Sequence, residues 1–235
     1  MSSPSASPPE VGVIVVAAGA GVRAGPGEPK QFRRVAGVPL LLRALRPFTS
    51  HPAVGRVVVT LPAEFVARPP DWLSTLRGER LTWVAGGATR TESVRAGLAA
   101  LGASVPIVLI HDAARPFVRR ETIDAVIARA RSGVGAVAAI PVSDTVKEVG
   151  DGARVARTVS RDRLWRAQTP QGFPRDMLAR AYAQLRQGDP PATDDAELCE
   201  RAGFPVDVVA DAPDNLKVTT ADDFRLAEAL ARELG

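Results

Sequence analysis

The chain has 235 residues, 46% hydrophobic and 24% charged, which is too apolar for a disordered polymer and long enough for a substantial core. Its 30 basic and 26 acidic residues give a net charge of +4 but are interspersed, and aromatics make up 5%, which argues against a nucleic-acid binder built on a basic stripe with stacking rings. The single cysteine, Cys199, excludes an intrachain disulfide and fits a reducing, cytoplasmic setting.

Residues 1–10 are rich in Ser and Pro without the basic start and apolar run of a signal peptide, and read as a loose tail before one domain spanning 11–235. The longest apolar stretch, Val11 to Val22, is broken by glycines and falls short of the roughly 18 residues that span a membrane. Strands are expected at Val11–Val16, Arg56–Leu61, Leu81–Val84, Ile107–Ile110, Ala136–Ile140 and Val206–Val209, several of them apolar on both faces. Helical spacing marks Leu40–Phe48, Thr91–Leu101, Ile123–Arg131 and Pro174–Leu185. Cys199 falls in a further amphipathic stretch, where a core role is expected. A last helix follows Thr220 and Asp223, spaced as a capping box, with Phe224, Ala227, Leu230 and Leu234 on one face. The alternation implies an α/β fold with a mostly parallel central sheet flanked by helices.

One region departs from that alternation. Asp144–Val149 and Arg154–Val159 flank Gly150-Asp151-Gly152, a hairpin signal within residues 142–160. The spacing fits equally a surface decoration and a protruding arm that reaches another subunit.

The first strand runs straight into Ala17-Ala18-Gly19-Ala20-Gly21-Val22-Arg23, and Pro29-Lys30 follows. Small residues after a strand end let backbone amides approach phosphate oxygens, and Arg23 and Lys30 add positive charge to that cradle. Gly19-x-Gly21-x-x-Ala24 also matches a variant dinucleotide fingerprint, so a nicotinamide-dependent oxidoreductase has to be weighed. Pro26 and Pro29 stand where its helix would run, and Thr60-Leu61-Pro62 supplies no acid for a ribose. A Walker loop fails because no Gly-Lys-Ser/Thr follows.

These segments, with Pro29-Lys30-Gln31-Phe32, resemble the opening of the 2-C-methyl-D-erythritol 4-phosphate cytidylyltransferases. The resemblance continues in order through Gly86 to Val94, His111 to Pro116, Pro141 to Lys147, Thr169-Pro170-Gln171 and Asn215 to Thr219, and covers nearly all of the chain after the tail. It implies a Rossmann-like nucleotidyltransferase in which the phosphate of a polyol phosphate attacks the α-phosphorus of CTP, releasing pyrophosphate, with Mg2+ accompanying the CTP. By the family pattern Arg23, Lys30, Arg161 and Lys217 are catalytic. Ala17, Ala18, Gly19, Gly21, Gly87, Arg90 and Ser93 would hold the nucleotide. Asp112, Arg115, Thr145, Thr169 and Thr193 would hold the acceptor.

The resemblance also implies a homodimer in which the arm brings Thr145 and Arg161 to the neighbouring subunit. Several of these residues have plainer readings. Arg90 and Ser93 suit a solvated helix start, Asp112 suits a turn cap or a magnesium ligand as well as a hydroxyl partner, and Thr193 suits a helix N-cap. His111 and His51 read as structural. Arg33-Arg34-Val35 is more polar than the family pattern, and Gly172 stands where an aromatic also occurs. Cytidylyl transfer to another polyol phosphate, such as ribitol 5-phosphate, is the nearest alternative, and a non-catalytic nucleotide binder a more distant one.

Overall fold

A computed structural model describes residues 10–19, 28–186 and 188–234. Strand β1 (Val11–Val16) lies inside a seven-stranded sheet, and Val13, Ile14 and Val15 have no exposed surface, as both-face burial requires. A small hairpin of β2 (Arg34–Val35) and β3 (Val38–Pro39) leads into α1 (Leu40–Thr49), and β4 (Val54–Leu61) returns parallel to β1. Two short helices, α2 (Glu64–Ala67) and α3 (Asp71–Ser74), precede the edge strand β5 (Leu81–Ala85).

The alternation continues through α4 (Arg90–Leu101), β6 (Ile107–Asp112), α5 (Arg120–Arg131) and β7 (Gly135–Pro141). Strands β8 (Val146–Val149) and β9 (Val155–Val159) pair with each other as a separate antiparallel hairpin. The chain then enters β10 (Trp165–Pro174), α6 (Arg175–Ala183), α7 (Asp195–Arg201), β11 (Val206–Ala210) and α8 (Ala221–Glu233).

The main sheet runs β11-β7-β10-β6-β1-β4-β5, and β10 alone is antiparallel to its neighbours. One core packs α1 and α5 on one face through Leu41, Leu45, Phe48, Ile123 and Val126. A second packs α4, α6 and α7 on the other through Val94, Leu98, Leu178 and Cys199. The buried Cys199 is thus a packing residue, and burial pushes its thiol up to about 12. A third cluster seats α8, where Ala227 and Ala231 meet Val35, Leu40, Phe117 and Val218. The capping box of Thr220 and Asp223 is present, whereas Leu234, expected on the buried face, is exposed and Ala231 is buried instead.

The six expected strands are all found, each with bounds equal to or slightly wider than its pattern. Strand β10 carries no such signal, because Gln168, Thr169, Pro170 and Gln171 break any β-branched pattern; a register shift between Ala167 and Gln171 accommodates them. Gly172 has a packing reason here: a Cβ would collide with Val126 Cγ1 of α5, so helix and strand approach closely at that point. Helix α6 stops at Ala183, two residues before the expected Leu185. No helix among the described residues is long and apolar enough to cross a membrane.

Candidate active site

Strands β4 and β6 flank β1 on opposite sides, so the strand order reverses there and a crevice opens at the carboxyl ends. The cleft has a volume of about 640 Å³. Its walls are Ala17–Gly19 after β1, Gly87–Arg90 at the start of α4, Asp112–Ala114 at the end of β6, and two lysines, Lys30 and Lys217.

The backbone sets its shape. Ala17 N donates to Thr60 O at 2.9 Å, fixing the exit of β1. Gly19 is exposed, with nothing within 4 Å of where a Cβ would stand, which leaves its backbone open to a ligand. A Cβ on Gly86 would collide with Ala18 Cβ, so the loops after β1 and before α4 touch. Ser93 is buried, accepting from Gly87 N at 3.1 Å and donating to Thr89 O at 2.9 Å; it shapes the second loop rather than lying solvated at a helix start. Thr89 and Glu92 form a reciprocal cap on α4.

Of the nucleotide-side expectations, Ala17, Ala18, Gly19, Gly87, Arg90 and Ser93 line one cleft. Gly21 and the catalytic candidate Arg23 lie outside the described residues. Lys30 Nζ donates to Val218 O at 2.9 Å, and Lys217 Nζ lies 2.7 Å from Asp112 Oδ2. Arg90 Nε lies 3.3 Å from Asp112 Oδ1, and its Nη1 donates to Asp195 Oδ2 at 2.6 Å. Arg90 is therefore clasped between two carboxylates and is not a plain solvated position. Burial opposes ionisation of Asp112, but Arg90, Lys217 and Arg115 outweigh it and hold its carboxyl well below the usual range.

The acceptor-side expectations divide. Thr169 is buried behind Asp112, its Oγ1 accepting from Asp112 N at 3.0 Å and 3.0 Å from His111 Nδ1. Arg115 is buried and donates to Asn215 O at 2.7 Å, so it supports the segment that carries Lys217. Its pKa is lowered by burial. Thr145 and Arg161 are exposed on the hairpin region, where Arg161 Nη1 donates to Ser143 O. Thr193 is not the N-cap of α7: Asp194 caps it, and Thr193 Oγ1 instead donates to Glu197 Oε2 at 2.8 Å. His111 has no exposed surface, and its Nε2 lies 2.9 Å from Arg115 O, which fits the structural role. His51 Nε2 lies 2.9 Å from Asp124 Oδ1.

Residues that sequence reasoning gave no role complete the framework. Asn215 Nδ2 donates to Thr169 O at 2.8 Å and Asp211 Oδ2 at 2.6 Å, and Gln168 Nε2 donates to Asn215 O at 3.1 Å. Gln171 Oε1 accepts from Asp195 N and Ala196 N, each at 3.0 Å. Their signal was present, since Gln171 and Asn215 stand in the segments carrying the resemblance, but one chain does not separate ligand contacts from scaffolding.

A switch-point crevice, small-residue loops and lysines far apart in sequence mark this protein as an α/β fold whose ligand cleft carries positive charge. The family model for 2-C-methyl-D-erythritol 4-phosphate cytidylyltransferase matches residues 11–233, and the chain belongs to that family. The cytidylyltransferase of Salinibacter ruber is 44% identical over 219 residues, covering 93% of this chain and 91% of its own. The crystal structure of the Thermus thermophilus cytidylyltransferase superposes with a TM-score of 0.79 at 38% identity, covering 95% of this chain and 99% of that one. A bifunctional IspD/IspF enzyme of Paracoccus denitrificans is 47% identical over 95% of this chain, which spans 56% of that longer relative. Membership in this family displaces the oxidoreductase alternative.

Proposed function

We propose that the cleft joins CTP to 2-C-methyl-D-erythritol 4-phosphate, giving the CDP-linked methylerythritol and pyrophosphate for isoprenoid precursor synthesis. The observation that carries this reading is the placement of Lys30 and Lys217 on one cleft with the open backbone of Ala17–Gly19. An oxygen of the acceptor phosphate attacks the α-phosphorus, the bond to the bridging oxygen breaks, and pyrophosphate leaves. The attacking phosphate is already ionised near neutral pH, so the protein needs no general base. Its work is to align two anions and offset their charge. Lys30, with Arg23, acts on the triphosphate, and Lys217, Asp112 and Thr169 set the acceptor side.

Among the described residues no three carboxylate, histidine or cysteine side chains gather into a metal cage, and Asp112, the carboxylate lining the cleft, already bears Lys217 and Arg90. That donor set suits an ion held chiefly by the triphosphate's own oxygens, as Mg2+ commonly is. Mg2+ bound there would neutralise triphosphate charge.

The hairpin of β8 and β9 serves as a dimerisation arm in a homodimer, bringing Thr145 and Arg161 to the partner's acceptor pocket. Its support is the exposure of Val149 at 55% and Val155 at 54% on a hairpin that pairs with itself, an arrangement of marginal stability alone. The reaction belongs in the cytoplasm, in keeping with a buried, reduced Cys199. A pyrophosphate-release assay with CTP and a panel of polyol phosphates tests the reading. Turnover of the methylerythritol ester is expected, and turnover of ribitol 5-phosphate in its place would overturn it.

A further inference from the structure

Behind the cleft a polar chain runs into the core. Tyr182 of α6 donates its hydroxyl to Asp195 Oδ1 at 2.6 Å, and Arg90 Nη1 reaches Asp195 Oδ2 at 2.6 Å. Asp195 has no exposed surface, Tyr182 is 5% exposed, and the arginine passes the contact on to Asp112 in the cleft wall. We propose that Tyr182 and Asp195 are positioning residues that fix Arg90, and through it the orientation of the Asp112 carboxylate toward the acceptor. This rests on the acceptor-side reading of Asp112 given above.

Three observations carry it. First, the Asp195 carboxylate is not needed to anchor α7, because Gln171 Oε1 already accepts from Asp195 N and Ala196 N, and Gln171 Nε2 donates to Asp194 Oδ2 at 2.8 Å. Second, a buried ion pair contributes little net stability, since desolvation offsets its attraction; what a doubly engaged carboxylate provides is a fixed direction. Third, the Arg90–Asp112 contact is the longer one at 3.3 Å, while the Arg90–Asp195 contact is 2.6 Å. A planar guanidinium held firmly at one edge presents the other edge in one plane. Released from Asp195, it would be able to rotate onto both oxygens of Asp112, and Asp112 would lose its set direction.

The test compares wild type with Tyr182→Phe and Asp195→Asn, varying CTP and methylerythritol phosphate separately. The expected result is a KM for the acceptor raised about tenfold in Asp195→Asn and about threefold in Tyr182→Phe, with the KM for CTP within about twofold of wild type. In a cycle with Asp112→Asn, the Asp195 substitution should have no further effect on acceptor KM once the carboxylate it orients is gone. An unchanged acceptor KM, an equal rise for both substrates, or additive effects in the cycle would overturn the proposal. Should Asp195→Asn fail to fold in a thermal melt, Tyr182→Phe decides alone, since it removes one oxygen and keeps the ring. A wild-type protein that never turns over the methylerythritol ester would sink the functional reading itself, and that is measured before any variant.

Discussion

In the cleft, each described candidate cation is held at a second point. Lys30 is held by Val218 O, Lys217 by Asp112, and Arg90 by two carboxylates. Val218 is itself fixed, its N–H donating to Ala114 O at 2.8 Å, so the loop bearing Lys217 is tied to the end of β6. The hairpin region is built the other way: Thr145 and Arg161 are exposed, and β8 and β9 pair with each other. Most of the candidate site described is thus organised by the core of one chain, while Thr145 and Arg161 project from it. The contrast teaches that nucleotide-side residues should act alone and arm residues should depend on assembly.

The largest expected effect tests the organised part. Lys30→Ala should lower kcat by about 10²–10³, the scale for removing one charge that stabilises a transition state. Unchanged pyrophosphate release would end the assignment. On the arm, Arg161→Ala should reduce kcat/KM for the acceptor by about 10–100-fold while CTP affinity, read by calorimetry, stays put. Mixing the impaired Lys30→Ala and Arg161→Ala proteins, at acceptor concentrations where neither alone turns over appreciably, sharpens the comparison. If the arm acts across a dimer, hybrids carry one intact site and about a quarter of wild-type activity should return. If it acts within its own chain, none returns.

The core behind the cleft gives a pH signature that the arm should not share. Burial pushes the His111 imidazole down to about 4. Between about 6.5 and 4 the unfolded chain takes up a proton that the native chain does not, so stability falls as pH falls through that window, by up to about 3 kcal/mol from this residue. Urea unfolding of wild type and His111→Gln across the window should show the flatter profile in the variant; parallel profiles would refute the linkage. The smallest effect concerns α8: Thr220→Ala should cost about 1 kcal/mol in thermal unfolding by removing one half of the capping box. No loss of stability would show the cap to be dispensable.

Most of this frame was legible in the sequence. Val11–Val16 and Ile107–Asp112 announce themselves because both-face burial leaves almost no polar residue, and the loops after them follow from small residues at strand ends. Strand β10 was not legible, since its buried Gln168, Thr169 and Gln171 form hydrogen bonds with partners far along the chain, which periodicity does not register. For the same reason the motif around Arg115 does not announce that its guanidinium donates to Asn215 O. The role of Arg90 depends on Asp112, Asp195 and Tyr182 together, and no spacing rule brings those four residues into one place.

The reversed direction of β10 has a consequence for wiring. Strand β7 ends at Pro141, and β10 begins with Trp165 paired directly opposite it. The excursion through the hairpin therefore leaves and rejoins the sheet at one edge, the edge where Asp112 ends β6. A parallel β10 would have needed a crossover back to the far rim, stranding the hairpin's root away from the ligand end. One inverted strand thus turns a long insertion into a short detour anchored beside the cleft.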